Sequence, residues 1–280
     1  MNLNGFVFPC PTFNFYTQQI FNNELIYIPS KNPGKKIPCL FIQDKENEST
    51  KNFLIAFHGN AEDIFTSKSM AVQLHHKLGM NVILVEYPGY SIYKGESDAE
   101  VILQNTITIY DFIKETFNLE DKNIFVFGRS IGTSPAIYLA SSRKPNALFV
   151  VSSFTSIRAV ADNLVGPLKY ILKDRLSSKD YIKNVTCPIL FIHGQSDPLI
   201  PFKETLLLKE ICDCPFEVSL PENMTHNDFD LDSDIIEPIN QFIKRNCVVD
   251  NTKIKFNINE NLFEMPKEIE DYINKNKKLE

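Results

Sequence analysis

Short, wholly apolar runs constrain the fold of this chain more than any other feature. Two of them are Phe53-Leu54-Ile55-Ala56-Phe57 and Ile124-Phe125-Val126-Phe127. Runs of this length and composition are typical of β-strands that are buried on both faces. Segments with helical spacing of apolar residues separate the later runs. This alternation predicts an α/β fold with a mostly parallel sheet and helices on both of its faces.

Eight strands are predicted in all. They span residues 24–28, 37–43, 53–58, 81–86, 123–127, 147–152, 189–193 and 216–220. Helices are predicted over residues 67–78, 99–116, 131–141, 203–211 and 233–245. The first two strands flank the turn-like segment Asn32-Pro33-Gly34-Lys35. We therefore expect them to form an antiparallel hairpin at the edge of the sheet.

One folded domain is predicted, because a chain of 280 residues with 43% hydrophobic residues can bury a sizeable core. We assign residues 1–34 to an N-terminal segment and edge strand, 35–246 to the domain itself, and 247–280 to a charged tail. Within this tail, Pro266 is predicted to begin a short helix. Between the sixth and seventh predicted strands, approximately residues 153–186, apolar residues recur at helical spacing. This segment either forms a short cap over a substrate site or packs on the domain, and the sequence leaves both open.

The charge and cysteine content exclude some classes of function. A net charge of -6 without a cluster of basic residues argues against nucleic acid as a partner. The six cysteines lack the spacing of a zinc site, and we expect free thiols in a reducing compartment, no metal and no cofactor. No apolar run is long enough to span a bilayer, and Lys31 is the first basic residue, so a secretory leader is not expected. The prediction is a cytoplasmic protein.

The segment Gly128-Arg129-Ser130-Ile131-Gly132 lies between a predicted buried strand and a predicted helix. A serine nucleophile in such a sheet needs a sharp turn between a strand and a helix. Flanking glycines allow this turn, which presents the serine hydroxyl at the carboxyl edge of the sheet. The start of the following helix supplies positive dipole where an oxyanion would form. Ser130 is therefore the predicted nucleophile, and the N–H of Ile131 is a predicted oxyanion donor.

A serine nucleophile also needs a histidine base and a carboxylate that orients the histidine. Of the five histidines, His226 alone lies in a polar loop after the last predicted strand, and we predict that it is the general base. Asp197 lies in the loop after the seventh predicted strand and is the predicted carboxylate. His58 and His193 end strands and are predicted to support loops. His75 and His76 lie within a predicted helix, where they are expected to pack or face solvent.

A second oxyanion donor is expected from the loop after the third predicted strand, which reads His58-Gly59-Asn60-Ala61-Glu62. The backbone N–H of Asn60 is the first candidate for this donor. The N–H of Ala61 is the alternative. An ordinary turn without a catalytic role is the remaining interpretation.

These motifs together resemble the α/β-hydrolase family, in particular the intracellular branch with the ABHD17-like, ABHD13-like and Bem46 proteins. The resemblance covers about residues 35–245. Further motifs that support it are Glu86-Tyr87-Pro88-Gly89-Tyr90-Ser91, Gly95-Glu96-Ser97 and Ser153-Phe154-Thr155-Ser156. The chain departs from the pattern at Glu86 and Pro88, where Asp and Arg are commoner, and at Met224-Thr225, where small residues or Gly are usual. The order Ser, Asp, His agrees with this fold.

The resemblance implies a serine hydrolase. A short cap over the site would suit esters or thioesters with one acyl chain, so acyl-protein thioesterase, lysophospholipase and small carboxylesterase are the leading activities. A serine aminopeptidase-like amide hydrolase and a non-catalytic interaction protein stay open as alternatives. ABHD17-like proteins are membrane-attached depalmitoylases with an N-terminal cysteine cluster. This chain has only Cys10 there, with Phe6, Phe8, Phe13 and Phe15 around it. Acylation of Cys10 with peripheral membrane contact is one interpretation, and packing of these phenylalanines on the sheet is the other.

Overall fold

The computed structural model describes residues 23–32, 34–44, 49–160 and 176–276. The strands, in chain order, are β1 (Leu25–Pro29), β2 (Lys36–Ile42), β3 (Ser49–Thr50), β4 (Phe53–Phe57), β5 (Asn81–Val85), β6 (Ile124–Arg129), β7 (Ala147–Val151), β8 (Ile189–Ile192), β9 (Phe216–Ser219) and β10 (Lys253–Ile254). The α-helices are α1 (Lys68–Leu78), α2 (Ala99–Thr116), α3 (Thr133–Ser142), α4 (Ser178–Ile182), α5 (Lys203–Ile211), α6 (Glu237–Asn246) and α7 (Lys267–Asn276).

Eight of these strands form one sheet in the order β1-β2-β5-β4-β6-β7-β8-β9. The pairs from β5 through β9 are all parallel. The β1–β2 and β2–β5 pairs are antiparallel. The mostly parallel eight-stranded sheet is thus confirmed, and so is the hairpin at its edge.

Side chains of alternate residues along the central strands enter two separate cores. In β4, Phe53, Ile55 and Phe57 lie in one core, where residues of α2 and α3 cover the sheet. Leu54 and Ala56 lie in the other core, where α1 and α6 cover the opposite face. Because both faces are buried, the central strands need apolar residues at every position, which explains the wholly apolar runs.

The helix predicted after Pro266 is present as α7, and it packs on the domain. Ile269 and Ile273 of α7 are buried in the core that contains α1 and α6. Upstream, the two-residue strand β10 pairs with β3 in a separate small sheet. The C-terminal segment is therefore attached to the domain at two places.

Three helical features differ from the prediction. The helix predicted over 131–141 begins with a 3₁₀ turn at Ser130–Gly132, and the helix predicted over 233–245 begins as a π-helical segment at Leu231–Ile236. Apolar spacing alone does not separate these hydrogen-bond patterns from an α-helix. The short helix α4 was not predicted separately from the segment around it.

Much of the predicted cap lies outside the described residues, namely residues 161–175 with Leu164, Leu168, Ile171 and Leu172. At its two ends, residues 157–160 are helical and Leu176 is buried. Residues 1–22, with Cys10, also lie outside the described part.

The cysteines in the described ranges are free thiols, namely Cys39, Cys187, Cys212, Cys214 and Cys247. Within the same ranges no helix is long and apolar enough to cross a membrane.

Candidate active site

The turn around Ser130 has the strained backbone that its sequence predicts. Ser130 follows β6 directly and has a φ of 53°, in the left-handed region. A non-glycine residue in such a conformation costs about 1–3 kcal/mol and is found mainly at functional sites. A Cβ on Gly128 would lie 2.3 Å from the Gly132 carbonyl oxygen, and a Cβ on Gly132 would lie 2.3 Å from that of Phe57. Any residue with a Cβ at either position would push the turn and its neighbours apart.

The three predicted triad residues meet at the carboxyl edge of the sheet. His226 Nε2 lies 3.0 Å from Ser130 Oγ, and His226 Nδ1 lies 2.8 Å from Asp197 Oδ2. Ser130, His226 and Asp197 are only 7%, 6% and 8% exposed. The structure thus brings together, in a continuous hydrogen-bonded chain, three side chains that are far apart in the sequence.

Local hydrogen bonds hold the Asp197 carboxylate in place. Its Oδ1 accepts from the backbone N–H groups of Leu199 and Ile200, each at 2.9 Å. Burial alone would raise the pKa of Asp197, but hydrogen bonds from His193, His226 and Ile200 outweigh burial and hold this pKa well below its usual value. An ionised Asp197 accepts the Nδ1–H of His226, and this leaves Nε2 free to accept the hydroxyl proton of Ser130.

His193 contacts the same carboxylate, which sequence reasoning missed. Its Nε2 lies 3.4 Å from Asp197 Oδ2 and 2.9 Å from the Ile200 carbonyl oxygen. Its Nδ1 lies 2.7 Å from Thr205 Oγ1. The expected loop-supporting role is correct, but the loop that His193 supports is the one that carries Asp197. Its position four residues before Asp197 was the only sequence signal.

The loop after β4, predicted to supply an oxyanion donor, packs against the Ser130 turn. A Cβ on Gly132 would lie 2.6 Å from the His58 carbonyl oxygen, which shows how closely the two loops approach. The Asn60 side chain accepts a hydrogen bond from Tyr90 Oη at 2.8 Å, and Ala61 has a φ of 58°. The amides of Asn60 and Ile131 thus belong to two segments that meet beside Ser130.

A buried hydrogen-bonded pair between His58 and Glu86 accounts for the glutamate at position 86. His58 Nε2 lies 3.1 Å from Glu86 Oε1, and both side chains are fully buried. Glu86 Oε2 accepts from the backbone N–H of Ile64 at 3.2 Å. His58 is therefore structural, as expected. Of the helical histidines, His75 is buried and bonded to the Met80 carbonyl oxygen, whereas His76 is exposed.

The loops that carry Asp197 and His226 are in direct backbone contact. A Cβ on Gly194 would lie 2.0 Å from the Met224 carbonyl oxygen, and Ser196 N–H donates to that oxygen at 3.3 Å. The Met224 side chain is buried in the core on the α1 and α6 face. Met224 therefore fills core volume while its backbone joins the two loops.

Arg129 and Glu62 are two further residues at the site that the motifs did not single out. They form an ion pair, and Arg129 directly precedes Ser130. Arg129 also donates to the loop of His226. Across all the described residues, this site included, His, Cys, Asp and Glu side chains form no group of three that could hold a metal ion.

Comparison with known proteins agrees with this architecture. The chain is 29% identical over 215 residues to human alpha/beta hydrolase domain-containing protein 17B. This match covers 77% of this chain and 73% of the human protein. An esterase of Pyrococcus furiosus, Pf2001, superposes with a TM-score of 0.67 at 16% identity, over 85% of this chain and 98% of the esterase. This chain has the α/β-hydrolase fold. It resembles the ABHD17 proteins within that fold.

Another α/β-hydrolase-fold neighbour is a peptidase. Pyrococcus horikoshii acylaminoacyl peptidase superposes with a TM-score of 0.58 at 15% identity, over 80% of this chain and 41% of the peptidase. No family model matches the chain. One esterase and part of one peptidase thus superpose on this fold, and the fold alone does not choose between ester and amide substrates.

Proposed function

We propose that this α/β-hydrolase-fold protein is a serine hydrolase that cleaves a carboxylic ester or thioester through an acyl-enzyme. One observation carries the proposal: the hydrogen-bonded chain from Ser130 through His226 to Asp197, with distances of 3.0 Å and 2.8 Å. A serine hydroxyl is a weak nucleophile unless a base accepts its proton. The strained backbone of Ser130 supports the proposal independently, since it points the hydroxyl out of the sheet edge.

In the proposed reaction, Ser130 Oγ attacks the substrate carbonyl carbon while His226 Nε2 accepts the hydroxyl proton. Asp197 stabilises the resulting imidazolium. The backbone N–H groups of Ile131 and Asn60 are the proposed donors to the oxyanion of the tetrahedral intermediate. His226 then protonates the leaving alcohol or thiol, and a water molecule activated by His226 hydrolyses the acyl-enzyme.

Among ester and thioester substrates, we favour an acyl-protein thioester of the palmitoyl type or a lipid or other small ester. The similarity to alpha/beta hydrolase domain-containing protein 17B and the fold of the Pf2001 esterase support this choice. The acylaminoacyl peptidase neighbour favours a second candidate, hydrolysis of aminoacyl amides. A non-catalytic interaction protein is a third interpretation, which the complete hydrogen-bonded chain disfavours.

Hydrolysis assays with three model substrates test these alternatives. Purified protein and Ser130→Ala are compared on p-nitrophenyl butyrate, palmitoyl-coenzyme A and an alanine p-nitroanilide. The proposal predicts cleavage of the ester or the thioester, abolished in Ser130→Ala. Cleavage of the anilide alone would favour the amide hydrolase, and inactivity on all three by folded protein would favour the non-catalytic interpretation.

We further propose that the protein acts in the cytoplasm, with peripheral membrane contact through the segment around Cys10. The support is compositional: Phe6, Phe8, Phe13 and Phe15 surround Cys10. A single acyl chain on Cys10 would give only marginal membrane binding by itself. Fractionation of cells that express wild type or Cys10→Ser tests this proposal, which predicts a membrane-bound fraction that the substitution removes.

A further inference from the structure

A buried arginine precedes the nucleophile. Arg129 is the last residue of β6, and its side chain is only 6% exposed. Burial of a guanidinium is costly unless hydrogen bonds and an opposite charge compensate it. The partners of Arg129 lie on two different loops, and both loops contribute to the candidate active site.

On one side, Arg129 contacts the loop after β4. Its Nη1 forms an ion pair with Glu62 Oε1. The other oxygen of Glu62, Oε2, accepts from Gly59 N–H at 3.0 Å and from Ser67 Oγ at 2.9 Å. Burial alone would raise the pKa of Glu62, but Arg129 and His58 outweigh burial and lower this pKa below its usual value. An ionised Glu62 thus joins Arg129 to the start of the predicted oxyanion loop.

On the other side, Arg129 contacts the loop that carries the base. Its Nη2 donates to the backbone carbonyl oxygen of His226 at 2.6 Å and to Asn227 Oδ1 at 2.9 Å. The ring centroid of Phe229, in the same loop, lies 5.4 Å from the guanidinium carbon. Arg129 therefore holds the base-carrying loop at His226 itself.

The approach of Arg129 also accounts for Gly59. A Cβ at this position would lie 2.9 Å from Arg129 Nη1 and 3.2 Å from the Glu62 carboxyl carbon. The glycine leaves room for the ion pair directly beneath the loop. Two loops are thus packed around one planar cation, whose nitrogens lie in a fixed geometry.

We infer that Arg129 is a positioning residue that fixes the oxyanion loop and the His226 loop relative to Ser130. The inference rests on the proposed hydrolase function. Lysine cannot replace arginine in this role, because one ammonium group cannot bond the Glu62 carboxylate and the His226 carbonyl oxygen in the same planar geometry. A misplacement of catalytic groups by about 1 Å costs about 100-fold in rate. Loss of the bridge should therefore act on turnover rather than on substrate binding.

The test compares Arg129→Gln, Arg129→Lys, Glu62→Gln and the double variant Glu62→Gln/Arg129→Gln with wild type. Arg143→Gln is the matched control, since Arg143 forms a two-point ion pair with Asp111 at 2.7 Å and 2.6 Å outside the site. Rates are measured with p-nitrophenyl butyrate and divided by the concentration of sites that a fluorophosphonate labels at completion. This normalisation removes any loss of folded protein.

We expect Arg129→Gln and Arg129→Lys to lower kcat per labelled site about 10- to 100-fold, with KM within about threefold of wild type. Because the two residues act as one unit, the double variant should be no slower than Arg129→Gln alone. Arg143→Gln should keep wild-type kcat. Wild-type kcat per site in Arg129→Gln or Arg129→Lys, or independent effects of the Glu62 and Arg129 substitutions, would overturn the inference. A wild type that never labels would instead overturn the proposed function together with it.

Discussion

Substitution of Gly132 by alanine should damage the active site at the point where its two halves meet. The added Cβ would lie 2.3 Å from the Phe57 carbonyl oxygen and 2.6 Å from that of His58. Ordinary van der Waals contact begins at 3.4 Å, so the Ser130 turn and the end of β4 must separate by the difference between 3.4 Å and 2.3 Å, about 1.1 Å. Both contacting atoms belong to the backbone, so they can move only if the end of β4 and the residue after it move as well.

The separation should lower both activity and stability. It moves the Ile131 amide away from the loop of Asn60, and a misplacement of about 1 Å corresponds to about a 100-fold loss of kcat/KM. Overpacking of a core costs about 1–3 kcal/mol. The φ of -66° and ψ of -14° at Gly132 suit alanine, which offsets about 0.5–1 kcal/mol of that cost. We therefore expect a net loss of about 0–2.5 kcal/mol in the free energy of unfolding, with about 1 kcal/mol at the middle of the two ranges.

Gly79→Ala separates the effect on the site from the effect on stability. Gly79 ends α1 with a φ of 63°, and among the described residues no neighbouring atom lies within 4 Å of the position that an alanine Cβ would take. Alanine there costs about 1 kcal/mol of backbone strain without a clash. Urea titration measures stability, and p-nitrophenyl butyrate hydrolysis measures kcat/KM. The Gly79 variant should keep wild-type kcat/KM at a similar loss of stability. A Gly132→Ala enzyme within about threefold of wild type would refute the reasoning.

Two more substitutions test the hydrogen bonds of the site. Asp197→Asn should lower kcat about 10⁴-fold, because an amide does not hold His226 in the required tautomer. The pKa of Asp197 is lower in the folded protein than in the unfolded chain. The ionised carboxylate therefore adds to the free energy of unfolding above the unfolded pKa of about 3.9, and this contribution is lost as the pH falls. Urea titrations should show that acid lowers the free energy of unfolding less in Asp197→Asn than in wild type. Tyr90→Phe removes the donor to Asn60 Oδ1 and should lower kcat about 3- to 10-fold with p-nitrophenyl butyrate, whereas an unchanged kcat would show that this bond does not position the loop.

The sequence predicts the fold and the meeting of Ser130, Asp197 and His226 because the signals for both are local. The apolar runs of β4 and β6 each require burial on two faces. Gly128 lies near the end of β6, and Ser130 and Gly132 come directly after that strand. His226 and Asp197 could be assigned because parallel strands place their following loops at one edge of the sheet. Strands of two residues, such as β3 and β10, are too short to produce a periodic signal.

The contacts around the triad could not be predicted in the same way. Arg129 and Glu62 are separated by 67 residues, and their pairing depends on the adjacency of β4 and β6. An arginine in the serine motif is compatible with an exposed position, so its burial was visible only in three dimensions. The contact of His193 with Asp197 likewise depends on how the loop after β8 folds back.

The most direct test of the central claim is mass-spectrometric mapping of fluorophosphonate labelling on wild type, Ser130→Ala and His226→Ala. The probe reacts with a serine only when a base activates it. The geometry predicts labelling of Ser130 in the wild type, no labelling of Ser130→Ala, and labelling that is slowed by orders of magnitude in His226→Ala. Labelling of a different serine, or labelling of His226→Ala at the wild-type rate, would contradict the claim that Ser130, His226 and Asp197 act together.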